Sequence, residues 1–464
     1  MPTRPNQPCT DAETLLRGVV EACADCDTCR FLMDESCLLF PRLYQLWDEA
    51  RDTGRPIPRQ KLHQLAELCT LCGLCPCPNI RTDIIQAKAA RVATAGMPFG
   101  VRFLADVQRF ARLGGAAPGL INRLLAVRPL GHALKKLLDI HPRRDLPRLA
   151  PEPFFSWARK RGLNRLPDAK RRVAYFAGCT AGYLFPEVAR AVVGVLEHNG
   201  IAVHVPEQQC CGMPTLLEGD RPTTLERAAF NLTSLGTLVQ EGWDIICSCP
   251  TCGFLLKVLL KENACYSEAY QRSVRAGAEE IMVPDDDGAG GIRVRKSIYA
   301  KILRDNGLFS EIDPLARIAV SAQVHDLGAY LARLDGGGGL DRAFGRLAGR
   351  LAYYAPCHQR EQNLGSPYRD LLEKIPGVDL VPVGGPMDCC GMGGSLGYKR
   401  RFHHDSLRLG TPLMEKIKAA QPEAVVTDCL SCRLQFRHLL PYPVHHPVEL
   451  LRLAYAAANP HPRR

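Results

Sequence analysis

Two stretches of this chain are nearly the same sentence: RVAYFAGC at residues 172–179 and RLAYYAPC at residues 350–357. Each is a short apolar run that ends on a cysteine. Downstream of the first comes QCCGMP, with Cys210-Cys211, and then DIICSCPTCGFLLK, with Cys249 and Cys252. Downstream of the second comes DCCGMGG, with Cys389-Cys390, and then AVVTDCLSCRLQFR, with Cys429 and Cys432. The spacings agree too: Cys179 to Cys210 is 31 positions against 32 for Cys357 to Cys389, and Cys211 to Cys249 is 38 against 39 for Cys390 to Cys429. Agreement in residue type and interval at three separate points indicates a duplicated unit.

Within each copy the pattern alternates strand and helix. Val173 to Ala177 reads as a buried strand, Pro186 to His198 as an amphipathic helix stopped before Gly200, and Ile201 to Val205 as a second strand. Thr223 to Gln240 reads as another helix and Ile245-Ile246 as a third strand. Such alternation predicts a parallel sheet, with the cysteines just past strand ends, where α/β folds bind ligands.

Outward from the repeats, 464 residues divide into four regions. Residues 1–100 hold nine of the 21 cysteines, 101–172 none, 173–270 seven and 271–464 five. The last region opens with a loop marked by Asp285-Asp286-Asp287-Gly288 and a glycine run from Gly336 to Gly339. The net charge of +11 is concentrated in residues 101–172, which carry 17 Lys/Arg against 5 Asp/Glu. The N-terminus shows no signal-peptide pattern and no run approaches a membrane span. The expectation is a cytoplasmic protein whose closely spaced cysteines serve metal or redox chemistry and not disulfides.

The first region carries two triplets, Cys23-x2-Cys26-x2-Cys29 followed by Cys37, and Cys69-x2-Cys72-x2-Cys75 followed by Cys77-Pro78. Soft thiolates at this spacing suit iron–sulfur clusters, each held by four cysteines. In two-cluster ferredoxins the fourth cysteine of one motif serves the other cluster. That logic predicts Cys23, Cys26, Cys29 and Cys77 as one set and Cys37, Cys69, Cys72 and Cys75 as the other, two [4Fe-4S] clusters in all. The gaps before the fourth cysteines, seven and one, depart from the usual three. Zinc on four cysteines is the rival, though zinc sites show separated pairs more than triplets. In the repeats, five thiolates per copy (Cys179, Cys210, Cys211, Cys249, Cys252; Cys357, Cys389, Cys390, Cys429, Cys432) exceed what one zinc or one cubane needs. Adjacent cysteines bridge poorly, and glycines at Gly212, Gly391, Gly393 and Gly394 let backbone approach a bulky ligand.

These motifs, together with the tail TDCLSC…HHPVELLRLA, resemble the CCG-domain iron–sulfur proteins. Within that family the layout is most similar to the C subunit of anaerobic glycerol-3-phosphate dehydrogenase, beside the iron–sulfur subunit of glycolate oxidase and the B and C subunits of heterodisulfide reductase. The resemblance implies one further [4Fe-4S] cluster, of noncubane type, on one or both five-cysteine sets. It also implies a protein that relays electrons between a flavin-dependent dehydrogenase, or another redox subunit, and a quinone or other carrier. No G-x-G-x-x-G flavin fingerprint lies in the chain itself. A catalytic heterodisulfide-reductase-like protein acting on a disulfide or sulfur substrate at a CCG cluster is the alternative. A zinc-bound scaffold or nucleic-acid binder is a third class, opposed by the paired cluster motifs and the lack of a recognition motif.

The expected fold class is therefore multidomain α and α/β: a helical two-cluster ferredoxin-like domain over 1–100, a basic amphipathic helical linker over 101–172, a first CCG domain over 173–270, and a linker with the second CCG domain over 271–464. In VRFLADVQRFARL, Val101, Leu104, Val107 and Phe110 fall at helical spacing. Such helices either lie on a membrane surface, making the protein peripheral at the inner face of the cytoplasmic membrane, or pack on the protein itself. His358, beside Cys357, is the one candidate for a catalytic role; it either tunes a cluster or takes a proton, or it packs beside a strand end. His325, His445 and His446 read as structural, and Cys9, Cys247 and Cys265 as unassigned.

Overall fold

In the computed structural model the described residues are 11–114, 118–285, 290–300 and 303–458. Cys9 and Asp286 to Gly288 fall outside them. The two cysteine-bearing repeats build two four-stranded parallel sheets of identical topology. The first contains β1 (Arg172–Phe176), β2 (Ala202–His204) and β3 (Asp244–Cys247). An antiparallel hairpin follows, β4 (Glu280–Pro284) with β5 (Gly291–Arg295), flanking the acidic loop. Then come β6 (Val324–Asp326), β7 (Gly349–Tyr354), β8 (Val378–Pro382), β9 (Ala424–Thr427) and β10 (Val444–His445). The sheets run β2-β1-β3-β6 and β8-β7-β9-β10, every neighbouring pair parallel. The fourth strand of the first sheet, β6, thus comes from beyond residue 270: Ile245, Ile246 and Cys247 of β3 pair with Val324, His325 and Asp326.

Local sequence explains the central elements. Val173, Ala174, Tyr175 and Phe176 are all buried, as a strand covered on both faces requires. The helix Pro186–His198 opens with proline at its first position, where the missing N–H costs nothing, and is followed by Gly200 in the left-handed region at φ 70°. The helix Arg221–Gln240 is capped by Asp220, whose carboxylate accepts from the Thr223 N–H at 3.3 Å.

The N-terminal segment is helical: Ala12–Cys26, Thr28–Leu32, Leu39–Thr53, Arg59–Glu67 and Pro78–Ala95. Leu16, Val20, Leu43, Tyr44, Leu62 and Ile84 form its own core. The first cysteine triplet rides on helix ends, with Asp27 turning the chain at φ 54° between them. The second triplet lies in the loop between Glu67 and Pro78, turned by Leu71 and Gly73 at positive φ. Part of the basic segment packs inward. It breaks at Asp106 into helices Phe99–Ala105 and Val107–Gly114, where a single helix is the sequence expectation. Ala105, Ala111, Leu138, Ile140 and Leu149 are buried against the repeats.

One buried ion group ties the three parts. The Lys399 ammonium lies 2.6 Å from the Glu218 carboxylate, which also accepts from the Ser395 hydroxyl. Lys88 of the N-terminal segment donates to the carbonyls of Cys69 (2.9 Å) and Leu217 (3.0 Å), and its charge reaches Glu218. Burial alone would raise Glu218, but the two lysines outweigh it and hold the carboxyl below its usual range. Glu218→Gln leaves buried Lys399 and half-buried Lys88 without their anion and is expected to cost about 3–5 kcal/mol, read as faster hydrogen exchange in Pro78–Ala95 and in residues 396–402. Because the folded pKa is depressed, the carboxyl's contribution is complete above the ordinary glutamate range and is lost as pH falls through the folded value, so the exchange difference from wild type should shrink in acid.

Candidate metal centres

In both repeats the thiols gather at the carboxyl ends of the strands. Cys179 and Cys249 follow β1 and β3 directly, and Cys357 and Cys429 follow β7 and β9. Those strand pairs flank the point where strand order reverses, which opens a crevice in a parallel sheet. The vicinal pairs arrive on the loops after β2 and β8.

In the first repeat all five thiols are buried and joined. The sulfurs of Cys179 and Cys210 are 3.3 Å apart, Cys211 is hydrogen-bonded to Cys252, and Cys252 to Cys249. Hydrogen bonds from Cys179 and Cys211 hold Cys210 well below the usual thiol range and push those two donors up. The bond with Cys252 lowers Cys249 to about 7. Gly178, at φ 69°, passes so close that a Cβ there would sit 2.8 Å from the Cys252 sulfur.

The second repeat repeats this contact but differs at its lone cysteine. Cys390 and Cys432 are 3.1 Å apart, and Cys390 is held low by hydrogen bonds from Cys389 and then Cys432. Cys357 is pushed up by burial, and among the thiols acting on it Cys72 of the N-terminal segment comes ahead of Cys390 and Cys429. One cavity is lined jointly by Cys37, Cys69, Cys72 and Cys75 and by Cys357 and Cys389. The second CCG loop therefore abuts the second cysteine triplet.

The N-terminal thiols fall into two groups. Cys23 lies within electrostatic reach of Cys29, Cys77 and Cys26; Cys75 lies within reach of Cys69, Cys72 and Cys37. The groups meet where Cys75 feels Cys29. Burial raises Cys23 and Cys37 to about 12. Cys26 and Cys77 are exposed, and Thr28 hydrogen-bonded to Cys26 lowers its pKa. No disulfide joins any of the described cysteines.

Cations, two buried and one half-buried, stand beside these thiols. Arg227, paired with Asp106 at 2.6 Å, faces Cys210 and Cys179; Arg144 faces Cys390; Arg360 faces Cys357 and Cys389. Each retains a buried nitrogen without a protein partner: Arg227 Nη1, Arg144 Nη1 and Arg360 Nε. Sequence reasoning does not single out these arginines, because nothing in spacing marks an arginine that turns inward. Among the described residues no three His, Cys, Asp or Glu side chains converge as they would around one bare ion. The donor set itself fits an iron–sulfur group: soft, desolvated sulfurs, unspent buried N–H donors and glycine backbone at contact distance.

The histidines divide as well. Both ring nitrogens of buried His358 are occupied: Nε2–H donates to the Leu71 carbonyl and Nδ1 accepts from the Thr251 hydroxyl, each at 2.9 Å. Burial drives its pKa down to about 4, so it is neutral, stacked on Phe254. It joins the second triplet's loop, the first C-x2-C and the second repeat. His446 does similar work, Nε2–H donating to the Ser248 carbonyl at 3.0 Å with Nδ1 accepting from the Val448 N–H. His325 pairs with Asp244 at 3.2 Å, and His445 lies on β10. Cys247 is buried at the end of β3, and Cys265 is raised to about 11 by burial.

Known proteins are similar to this chain in sequence. The Cysteine-rich domain family, CCG, matches residues 173–257 and again 351–437, so the chain carries two copies of this domain. Over 376 residues it is 26% identical to the C subunit of anaerobic glycerol-3-phosphate dehydrogenase from Escherichia coli (strain K12), covering 81% of this chain and 82% of that protein. It is 26% identical over 295 residues to the B subunit of fumarate reductase (CoM/CoB) from Methanothermobacter marburgensis, covering 61% of this chain and 47% of that one. An uncharacterized iron-sulfur protein of Methanocaldococcus jannaschii is 24% identical over 274 residues, 58% of this chain and 42% of its own.

The thiol environments can be read chemically. In iron-depleted, reduced protein at neutral pH, iodoacetamide should alkylate exposed Cys26 at least about tenfold faster than half-buried Cys75, whose thiol is pushed up, because the thiolate is the reactive form. Peptide mass spectrometry over a time course measures the ratio.

Proposed function

We propose that this chain is the iron–sulfur electron-transfer subunit of an oxidoreductase complex. In this reading Cys23, Cys26, Cys29 and Cys77 hold one [4Fe-4S] cluster and Cys37, Cys69, Cys72 and Cys75 a second. Cys179, Cys210, Cys211, Cys249 and Cys252 hold a further one, and Cys357, Cys389, Cys390, Cys429 and Cys432 another, of the noncubane type the family resemblance implies. The bound clusters supply one-electron chemistry. The protein supplies burial, thiolate charge and N–H donors, which tune each potential.

The observation that carries the reading is the succession of thiol groups. Exposed Cys26 and Cys77 begin it, Cys29 lies within electrostatic reach of Cys75, and Cys72 lines one cavity with Cys357. That is a continuous series from the surface to the second repeat, with the first repeat beside it. Phe31 and Leu32, next to the exposed group, stand 81% and 51% accessible, an apolar face suited to a flavin-dependent dehydrogenase partner. A quinone or another carrier takes the electrons from the repeats. The relatives are components of a dehydrogenase and of a reductase, which supports an oxidoreductase component here.

Location follows the same lines. No helix among the described residues is long and apolar enough to cross a membrane. Basic helices over 118–137 expose leucines between cations, which supports peripheral attachment to the inner face of the cytoplasmic membrane. A second reading, reduction of a disulfide at a five-cysteine cluster, draws on the completeness of both sets; presenting the reduced complex with a heterodisulfide and with a quinone separates the two. His358 acts here as a positioning residue, consistent with both its nitrogens being spent.

Metal and sulfide analysis with EPR on anaerobically purified protein tests the proposal. Iron with acid-labile sulfide is expected; roughly one zinc per four cysteines with no iron would sink it. Cys390→Ser should remove one CCG signal and leave the signals of the N-terminal clusters. Loss of every signal together would mean the sets are not independent.

A further inference from the structure

We infer that the cavity between the two repeats, roofed by the basic helices, is the binding site for the ring of a lipophilic quinone; this rests on the relay reading above and assigns it a place. The cavity measures about 110 Å³, of the order that admits a single ring. Its walls are apolar: Phe103, Val107 and Phe110 from the helices flanking Asp106, with Leu125, Leu134 and Leu434. Cys179, the lone cysteine of the first five-thiol set, lies in the wall. A molecule seated there touches the first centre directly.

The polar groups in the lining are few and of one kind. Thr180, Ser395, Ser431 and Tyr398 each contribute a hydroxyl-bearing side chain, that of Ser395 already donating to Glu218. Thr180 Oγ1 is 3.8 Å from the Cys179 sulfur, so this polarity lies at the redox end. An apolar box with hydroxyls beside a thiol group suits a ring edged by carbonyl acceptors, and offers no charge to a carboxylate or phosphate ligand.

The roof explains the tail. Leu125 and Leu134 face the cavity, whereas Leu120, Leu124, Leu130 and Leu137 on the same two helices are 59%, 46%, 51% and 69% accessible. Arg123, Lys135 and Lys136 are interleaved with them. Each helix therefore has an apolar inner contact with the cavity and an apolar outer ridge among cations. A ligand with a polar-edged ring and a long apolar tail fills the first and lies along the second.

The test uses anaerobically purified protein with its clusters present. The probe is an azidoquinone bearing a decyl chain, photolysed and mapped by peptide mass spectrometry. Label is expected on peptides containing Phe103 to Phe110 or Leu125 to Leu134, with decylquinone competing and n-dodecanol not. Leu125→Trp and, independently, Leu134→Trp fill the cavity and should cut labelling at least tenfold with the EPR signals unchanged. Leu315→Gln, on an exposed helix elsewhere, should label as wild type. Label at another place, label indifferent to both tryptophans, or equal competition by dodecanol overturns the site. Decylquinone reduction by the partner-reduced complex is measured alongside. Reduction with label elsewhere overturns this site and leaves the relay; label in the cavity without reduction supports the site and removes the relay.

Discussion

A thiol stripped of water holds negative charge only against a cation or a hydrogen-bond donor, and this constraint organises the molecule. Burial pushes Cys23, Cys37 and Cys75 up, while the thiols held low, Cys210 and Cys390, are those that accept hydrogen bonds from their neighbours. Buried Arg227 and Arg144 and half-buried Arg360 then bring positive charge to the repeats, and half-buried Lys88 brings it to Cys69. Placing cations at these depths is costly unless anions stand nearby. Thiolates and guanidinium groups thus justify each other's burial, and unspent N–H donors such as Arg227 Nη1 fit a ligand rich in sulfide.

Duplication supplies two equivalent crevices, and packing makes them unequal. The two sheets have the same strand order, yet Cys179 closes on Cys210 within its own set whereas Cys357 shares a cavity with Cys72. The difference arises from what lies above each crevice. The first is covered by the basic segment, whose Gln108 accepts from the Cys210 N–H at 2.6 Å and whose Asp106 pairs with Arg227. The second is covered by the N-terminal loop, with Gly73 pressed against Glu361. One crevice is thereby joined to the series of N-terminal thiols, and the other is left facing an apolar cavity.

Much of this is readable in the sequence because the signals are local and repeated. The strand at 173–177, the helix at 186–198 and the stop at Gly200 follow from short-range periodicity and backbone preference, and the structure agrees within a residue or two. The grouping of Cys23, Cys26 and Cys29 with Cys77 is reachable only by analogy, since 48 positions separate Cys29 from Cys77. What cannot be read is nonlocal. The strand β6 is three residues long and lies 77 positions after Cys247, with too little pattern to announce its sheet. The charge of residues 101–172 suggests an outer face, but Arg144 is buried, and a count of cations cannot tell an arginine that meets water from one that meets a thiolate.

The joints between the parts follow from what an electron relay requires. In the proposed relay, transfer depends on fixed separations between centres, so the parts must not slide. Apolar contacts between helices tolerate small shifts; directional buried polar contacts do not. The chain uses the latter where the parts meet. His358 spends both nitrogens on two other segments, His446 bonds the carbonyl of Ser248 beside Cys249, and Glu218 lies between lysines from two parts. The first two lie beside a cysteine, and Lys88 of the third donates to the Cys69 carbonyl. Displacement of one part would strand a neutral imidazole or a buried charge before it moved a sulfur far, so the costliest contacts in the fold also set the spacing of its thiols.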